Sequence, residues 1–254
     1  MSEDPAHTVG SVERAFAIAH ALEERGSAGP NEIAEYLDLS ASTVHKHLTT
    51  LQSMGYVSKR DGKYTLGIRF LTLGGTARNN RRTYRLAGEL VTRLAEEVGE
   101  RVQFVDEVVG RAIYIHTEGG QHTVNIDRHV GKLRYLHSSA AGKAILASLP
   151  EQRVDQIIDQ CGLPAETENT IRSSSDLKSE LADIRSRGFA YNDGESVRRL
   201  RAVGVPVTRG EEVLGSFSVS APRHRLKGDR YHEEVPNIIL GYANELELKL
   251  LDDP

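Results

Sequence analysis

Six side chains between residues 42 and 50 have one property in common. Ser42, Thr43, His45, Lys46, Thr49 and Thr50 can each donate a hydrogen bond or carry positive charge, and no carboxylate stands among them. At about 100° per residue, Ser42, Lys46, Thr49 and Thr50 fall on one side of a helix, with Thr43 and His45 on its flanks. Such a face can approach a polyanion and still present hydrogen-bonding groups to base edges. Lys59, Arg60 and Lys63 follow around the turn Lys59-Arg60-Asp61-Gly62, where exposed cations suit phosphate oxygens.

These groups need a helix and a hairpin to hold them. Ser40 is placed to cap a helix, since its hydroxyl can accept from a free N–H of the first turn. Val44, Leu48 and Leu51 recur at helical spacing and predict a buried stripe. Gly55 suits a left-handed helix end. Tyr56-Val57 and Lys63-Tyr64-Thr65-Leu66 then read as two strands of a wing. Upstream, Ser11 to Arg25 predicts an amphipathic helix with Val12, Ala15, Phe16, Ala19 and Leu22 inward. Gly26 to Gly29 breaks it, and Asn31 to Leu39 predicts a short helix with Ile33, Ala34 and Leu37 inward. Helix, short helix, third helix and wing is the winged helix-turn-helix order, in which the third helix enters the major groove.

Charge follows the same division. The chain of 254 residues has a net charge of −4, which alone argues against nucleic acid. Yet residues 39–85 carry nine lysines and arginines against Asp61 alone, while residues 1–38 carry two arginines against eight carboxylates. A local basic stripe matters more for phosphate binding than the total. A merely solvated basic face is the alternative, and the coincidence of the stripe with helix and wing argues against it. No apolar run is long enough to span a bilayer, and MSEDPAHTVG lacks a basic-then-apolar leader, so a cytoplasmic location is expected and no membrane partner. Cys161 is the single cysteine, which rules out an internal disulfide framework or a multi-cysteine zinc site.

The length suggests one large or two modest domains. Leu66 to Gly75 reads as the exit from a first domain at 1–75. A linker over 76–98 carries Leu86, Leu90, Val91, Leu94 and Val98 on one helical stripe, suited to a dimer contact or to packing on its own domain. From residue 99 to 254, short strands and helices alternate. Val102–Val109 with Ala112–His116 predicts one hairpin, and Val203–Val207 with Val213–Ser220 another. Thr123–Ile126 is a further short strand. Helices are expected at Ala140–Leu149, Val154–Ile158, Leu177–Arg187 and Val235–Leu251. Together these predict an α+β fold with an antiparallel sheet covered by helices.

In this second region Tyr135 to Lys143 runs from a strand into a helix through small residues. A helix N-terminus can hold a carboxylate or phosphate, and Ala140 and Ala141 leave room for a ligand at the backbone. The Gly142-Lys143 pair is not a phosphate-binding P-loop: His137 stands where its first glycine would be, and Ala144 replaces the Ser or Thr that would bind magnesium. His116, Glu118 and His122 are ligand-type residues on a strand and glycine turn, without the helical spacing of a zinc protease. No metal site and no catalytic residue is assigned, since no Ser-His-Asp or paired-carboxylate frame is present. Ser218 and Ser220, two apart on a strand, face one side of a sheet. That pair suits either a polar ligand or core hydroxyls bonded to backbone.

SVERAFAIAHALE, NEIAEYLDLSASTVHKHLTTLQSMGYV and YTLGIRFLTLG, followed by LHSSAAGKAILASLP, RSRGFAYNDGES and GSFSVSAP, resemble transcription regulators of the IclR family over nearly the full length. The resemblance implies an N-terminal winged helix, a helical linker and a C-terminal effector-binding domain similar to GAF domains. It also implies a homodimer or homotetramer reading palindromic double-stranded operator DNA. The family's pocket maps onto Arg134, Ala140, Ala141, Asn192, Ala202, Ser218 and Ser220. Asn192 stands where an acidic residue is common in the family, and Ala202 where a cysteine often stands. The expected effector is a small carboxylate or sugar acid held by Arg134 and the Ala140–Gly142 amides, with no cofactor, and the expected targets are catabolic genes. Two other readings remain open. The second domain could be an enzyme built on a GAF-like fold, or the winged helix could dock on a protein.

Overall fold

The computed structural model describes residues 8–121 and 129–251, and the chain divides into two compact units, Met1–Ala77 and Arg78–Pro254. The first contains α1 (Gly10–Arg25), α2 (Pro30–Tyr36), α3 (Ala41–Ser53), β1 (Val57–Arg60) and β2 (Lys63–Leu66). Ser40 caps α3, its hydroxyl accepting the Thr43 N–H at 3.1 Å. Pro30 opens α2, where a missing N–H costs nothing, and the Glu32 carboxylate accepts the Gly29 N–H at 2.6 Å. Gly55 leaves α3 at φ 79°, and the hairpin turns through Asp61 and Gly62 at φ 49° and 79°. Positive φ at both corners matches the twist of a two-residue hairpin. Val44 and Leu48 join Ile18, Leu22, Ile33, Val57 and Tyr64 in one core, with Leu51 packed at its edge.

The inward face of α1 differs from expectation. Ile18, Ala19, Ala21 and Leu22 are buried, whereas Val12 and Phe16 are 53% and 56% exposed. The helix has two apolar stripes roughly 100° apart, and the core takes the one that pairs Ile18 with Leu22. The glycine-punctuated stretch after the wing is also more regular than it reads. α4 (Phe70–Asn80) runs through Gly74 and Gly75 and buries none of its residues.

The second unit begins with α5 (Arg82–Val98) and continues through β3 (Arg101–Val108), β4 (Arg111–Gly119) and β5 (Leu133–Tyr135). α6 (Ala140–Ser148), α7 (Glu151–Cys161) and α8 (Ser174–Arg187) follow. β6 (Ala190–Asp193), β7 (Leu200–Arg209) and β8 (Glu212–Pro222) lead through a π-helical turn at Arg230–Glu234 into α9 (Val235–Leu251). The six strands form one antiparallel sheet in the order β5-β4-β3-β8-β7-β6. On one face Val102, Phe104, Val203, Val205, Phe217 and Val219 pack with α5 and α9. The other face, with Val105, Ala112 and Tyr114, packs with α6, α7 and α8. The stripe of α5, with Leu90, Val91, Leu94 and Val98 buried, is therefore spent inside its own unit. The strand expected at 123–126 lies outside the described residues. Among the described residues no helix is long and apolar enough to cross a membrane.

Candidate nucleic-acid interface and ligand pocket

The face of α3 opposite Val44 and Leu48 is open. Ser42, His45, Lys46, Thr49 and Thr50 are exposed and Thr43 is half-buried. The threonines are less free as donors than their type suggests. Thr49 Oγ1 donates to the His45 carbonyl at 2.9 Å, Thr50 Oγ1 donates to the Lys46 carbonyl at 3.1 Å, and Thr43 Oγ1 shares a hydrogen bond with Ser40 Oγ at 2.8 Å. What Thr49 and Thr50 offer outward is lone pairs and methyl groups, the second suited to the methyl of thymine. Ser42, His45 and Lys46 supply the donors. On the wing, the Lys59 ammonium stands 5.1 Å from the centre of the Tyr64 ring. The side chain of Arg60 is 93% exposed and lies 3.7 Å from Asp61, and Lys63 stands 4.0 Å from Glu32. Surface pairs this loose leave the cations available to a phosphate.

The expected pocket residues come together on the α6 side of the large sheet. Strand pairing places Asn192, Ala202, Ser220 and Arg101 in one row across β6, β7, β8 and β3. Ala190, Gly204, Ser218, Gln103 and Thr117 form the next row, reaching β4. The intervening Val102, Val203 and Val219 belong to the opposite core, so both rows share the face towards α6. Gly204 is where the helix touches the sheet: a Cβ there would lie 2.6 Å from the Ala141 nitrogen. Gly204→Ala is accordingly expected to push the start of α6 off the sheet and cost about 1–3 kcal/mol of stability, read from chemical denaturation of the full chain. An unchanged midpoint would show that α6 does not rest on the sheet at Gly204.

Three expected ligand contacts have other occupations. The Gly142 N–H, expected to meet a ligand, donates to Ser139 Oγ at 3.0 Å, and its Cα packs against the Leu136 backbone. Arg134, expected as an open anion clamp, is ion-paired with Glu166 at 3.2 Å, and Glu166 also accepts from the Ser138 hydroxyl. Asn192 is 2% exposed; its amide donates to the Ser138 carbonyl at 2.6 Å and its Oδ1 accepts the Glu195 N–H at 3.1 Å. Arg134, Glu166, Ser138 and Asn192 thus form one polar chain that fixes the strand-to-helix turn ahead of Ala140. Ala202, Ser218 and Ser220 are buried on the face as expected.

Arg101, Gln103 and Thr117 belong to the same surface and were not singled out from sequence. The available signal was the polar pair Arg101 and Gln103 at i and i+2 within an otherwise apolar strand. A buried lysine lies close by. The side chain of Lys143 is 2% exposed, its ammonium 2.7 Å from Glu195 and 3.5 Å from Glu180. Burial holds the Glu195 carboxyl above its usual range against the pull of Lys143. His116 Nε2 is 2.7 Å from the Tyr84 carbonyl, and His122 lies outside the described residues. Among the described residues no three His, Cys, Asp or Glu side chains gather as a metal site.

Two family models match the chain. The IclR helix-turn-helix domain matches residues 11–61, and the bacterial transcriptional regulator IclR C-terminal domain matches residues 78–247. The probable HTH-type transcriptional regulator ArcR of Halobacterium salinarum is 35% identical over 247 residues, covering 95% of this chain and 94% of its own. The crystal structure of Thermotoga maritima IclR superposes with a TM-score of 0.74 at 27% identity, over 95% of this chain and 98% of that one. A homologue from Microbacterium hydrocarbonoxydans, solved with 4-hydroxybenzoate, has a TM-score of 0.80 at 20% identity over 96% of this chain and all (100%) of that one.

Proposed function

We propose, for a chain that belongs to the IclR family of DNA-binding transcription regulators, that it is an effector-responsive regulator whose operator affinity is set by a small carboxylate. Ser42, His45, Thr49 and Thr50 face the floor of the major groove, and Lys46, Lys59, Arg60 and Lys63 hold phosphates. The observation that carries this reading is the open face of α3, cationic and free of carboxylates, beside an exposed basic wing. Ala140, Ala141, Ala202, Ser218 and Ser220 line the effector pocket, while Arg134 and Asn192 shape its entrance turn. That a structural relative binds 4-hydroxybenzoate, itself a carboxylate, supports the class of effector. No residue is assigned to catalysis, and the protein acts in the cytoplasm on catabolic genes.

The operator is palindromic and the protein binds it as a homodimer or higher homo-oligomer, because two half-sites need two recognition helices. Support comes from apolar side chains that the first unit leaves outside its core: Val12 and Phe16 on α1, Ile68 at 83% exposure, and Leu71 and Leu73 on α4. A second copy covers such surfaces without a new partner. The test is a mobility-shift titration of the gene's own upstream duplex with a panel of small acids. An acid that shifts the midpoint must itself bind more or less tightly, by the same factor, when operator is present. No retardation at physiological salt with any acid would overturn the reading and favour a protein partner for the winged helix.

A further inference from the structure

We propose that Arg69 is a positioning residue, a clamp that fixes the recognition helix α3 to the start of α4, so that the spacing of the two α3 helices in a dimer is set at this corner. The proposal rests on the two-half-site reading above and adds the residue that holds the two readers in register. Arg69 is exposed, and its Nη1 donates to the Met54 carbonyl at the end of α3 at 2.5 Å. That carbonyl is among those a helix leaves without an intrahelical partner. The last turn of α3 carries no basic residue, so Arg69 brings from outside the cation that the negative end of the helix favours. The same guanidinium lies over Tyr56, its central carbon 5.3 Å from the ring centre. Tyr56 in turn meets Phe70, the first residue of α4, with 4.9 Å between ring centres.

The backbone at this corner is as close as glycine permits. The Gly67 N–H donates to the Tyr56 carbonyl at 2.8 Å, and a Cβ on Gly67 would lie 2.3 Å from the Gly55 carbonyl oxygen. A single crossing of that kind is a pivot. The Arg69–Met54 bond and the Phe70–Tyr56 contact add two more attachments, and the three together take away the swing. Elsewhere α4 buries none of its residues, whereas α3 is seated in the core through Val44 and Leu48. The corner is therefore what ties α4 to the body that carries α3. Beside Arg69, Ile68 and Leu71 are 83% and 68% exposed, part of the apolar surface assigned above to a second copy. Arg69 thus joins the segment that meets the partner to the helix that reads the groove. At about 1.5 Å per residue, Ser42 stands roughly 18 Å from Met54, and a swing of about 5° displaces it by about 1.5 Å, more than a hydrogen bond to a base edge tolerates. A stiff link between two binding modules favours one spacing of their targets, and a loose link relaxes that choice and lowers the joint affinity.

Titration of the full chain against three duplexes tests the clamp: the two-fold operator, the same operator with two base pairs inserted between its half-sites, and a single half-site. Arg69→Gln is expected to weaken operator binding about tenfold and to leave half-site affinity within about twofold. The insertion turns one half-site by about 70°. It should cost the wild-type chain about tenfold or more, and Arg69→Gln less than about threefold. Arg69→Lys should resemble Arg69→Gln, because one ammonium cannot both hold the Met54 carbonyl and lie flat on Tyr56. Equal losses on operator and half-site, with a shallower salt slope and rescue by lysine, would make Arg69 a phosphate contact and overturn the clamp. A thermal midpoint lowered by more than about 5 °C in Arg69→Gln would make it a fold contact and overturn it as well. So would a variant that discriminates between the two spacings as sharply as the wild-type chain does. A wild-type chain that binds operator and half-site equally would instead sink the two-half-site reading, and the clamp with it.

Discussion

Replacing Lys143 by methionine is expected to destabilise the second unit by about 3–5 kcal/mol, the cost of removing one partner from a buried ion pair. Methionine is unbranched and only one atom shorter, so it fills most of the same space and the loss reports mainly on charge. The Lys143 side chain is 2% exposed, and its ammonium is the near counter-ion of Glu195 at 2.7 Å. Glu180, at 3.5 Å, has a second cation in Arg187 at 2.7 Å, so Glu195 is the carboxylate left stranded. Burial already raises the Glu195 pKa above its ordinary value of 4.5, and loss of Lys143 raises it further. A carboxyl whose folded pKa exceeds its unfolded value is stabilised by protonation. The folded state then binds more protons, so stability grows as the pH falls and is lost as it rises. The deficit of Lys143→Met should accordingly be largest near pH 8 and shrink toward pH 5. Urea denaturation of both proteins across that range is the measurement. A deficit that grows as the pH falls would contradict the assignment.

The triple substitution Lys46→Ala, Lys59→Ala, Arg60→Ala should reduce operator binding more than any change elsewhere in the first unit. Each phosphate that is no longer neutralised lowers the slope of log K against log salt by about 0.9. Three such phosphates for each of two subunits would therefore remove about five from the slope. Affinity at moderate salt should fall by several orders of magnitude, on specific and unrelated duplexes alike. His45→Ala should act differently if, as proposed, the imidazole meets base edges: it should cost about 1–3 kcal/mol on the operator and leave the salt slope nearly unchanged. Titrations at four or five salt concentrations distinguish the two classes. A triple variant with the wild-type slope would mean that neither the wing nor Lys46 holds phosphates.

The parts of this molecule that sequence made legible are those decided within a few residues. Ser40 caps its helix because the hydroxyl and the Thr43 N–H are local neighbours, and the Asp61-Gly62 turn follows from two positive φ angles. Val44 and Leu48 were readable from period alone. On α1 periodicity allowed two apolar stripes, and only the positions of Ile33, Val44 and Leu48 decide that Ile18 goes in and Phe16 stays out. On α5 the period announced burial but not the partner, which proved to be the sheet of its own unit. The candidate pocket was half legible. Ser218 and Ser220 announced themselves by alternation and the family motif, but Gln103 and Thr117 come alongside only through the non-consecutive order β4-β3-β8-β7. Gly204 read as an ordinary strand residue until α6 lay against it, and Lys143 gave no sign of Glu195, fifty-two positions away.

Selection of bound duplexes from a random pool by the full-length chain at physiological salt tests the central claim most directly. Enrichment of a two-fold symmetric sequence is expected, with half-sites one helical turn or a multiple apart, lost in the triple basic variant and blurred at single positions in His45→Ala. Retention of duplexes without any enriched sequence would reduce the basic face to non-specific charge. The account of a regulator that reads its site through α3 would then be contradicted.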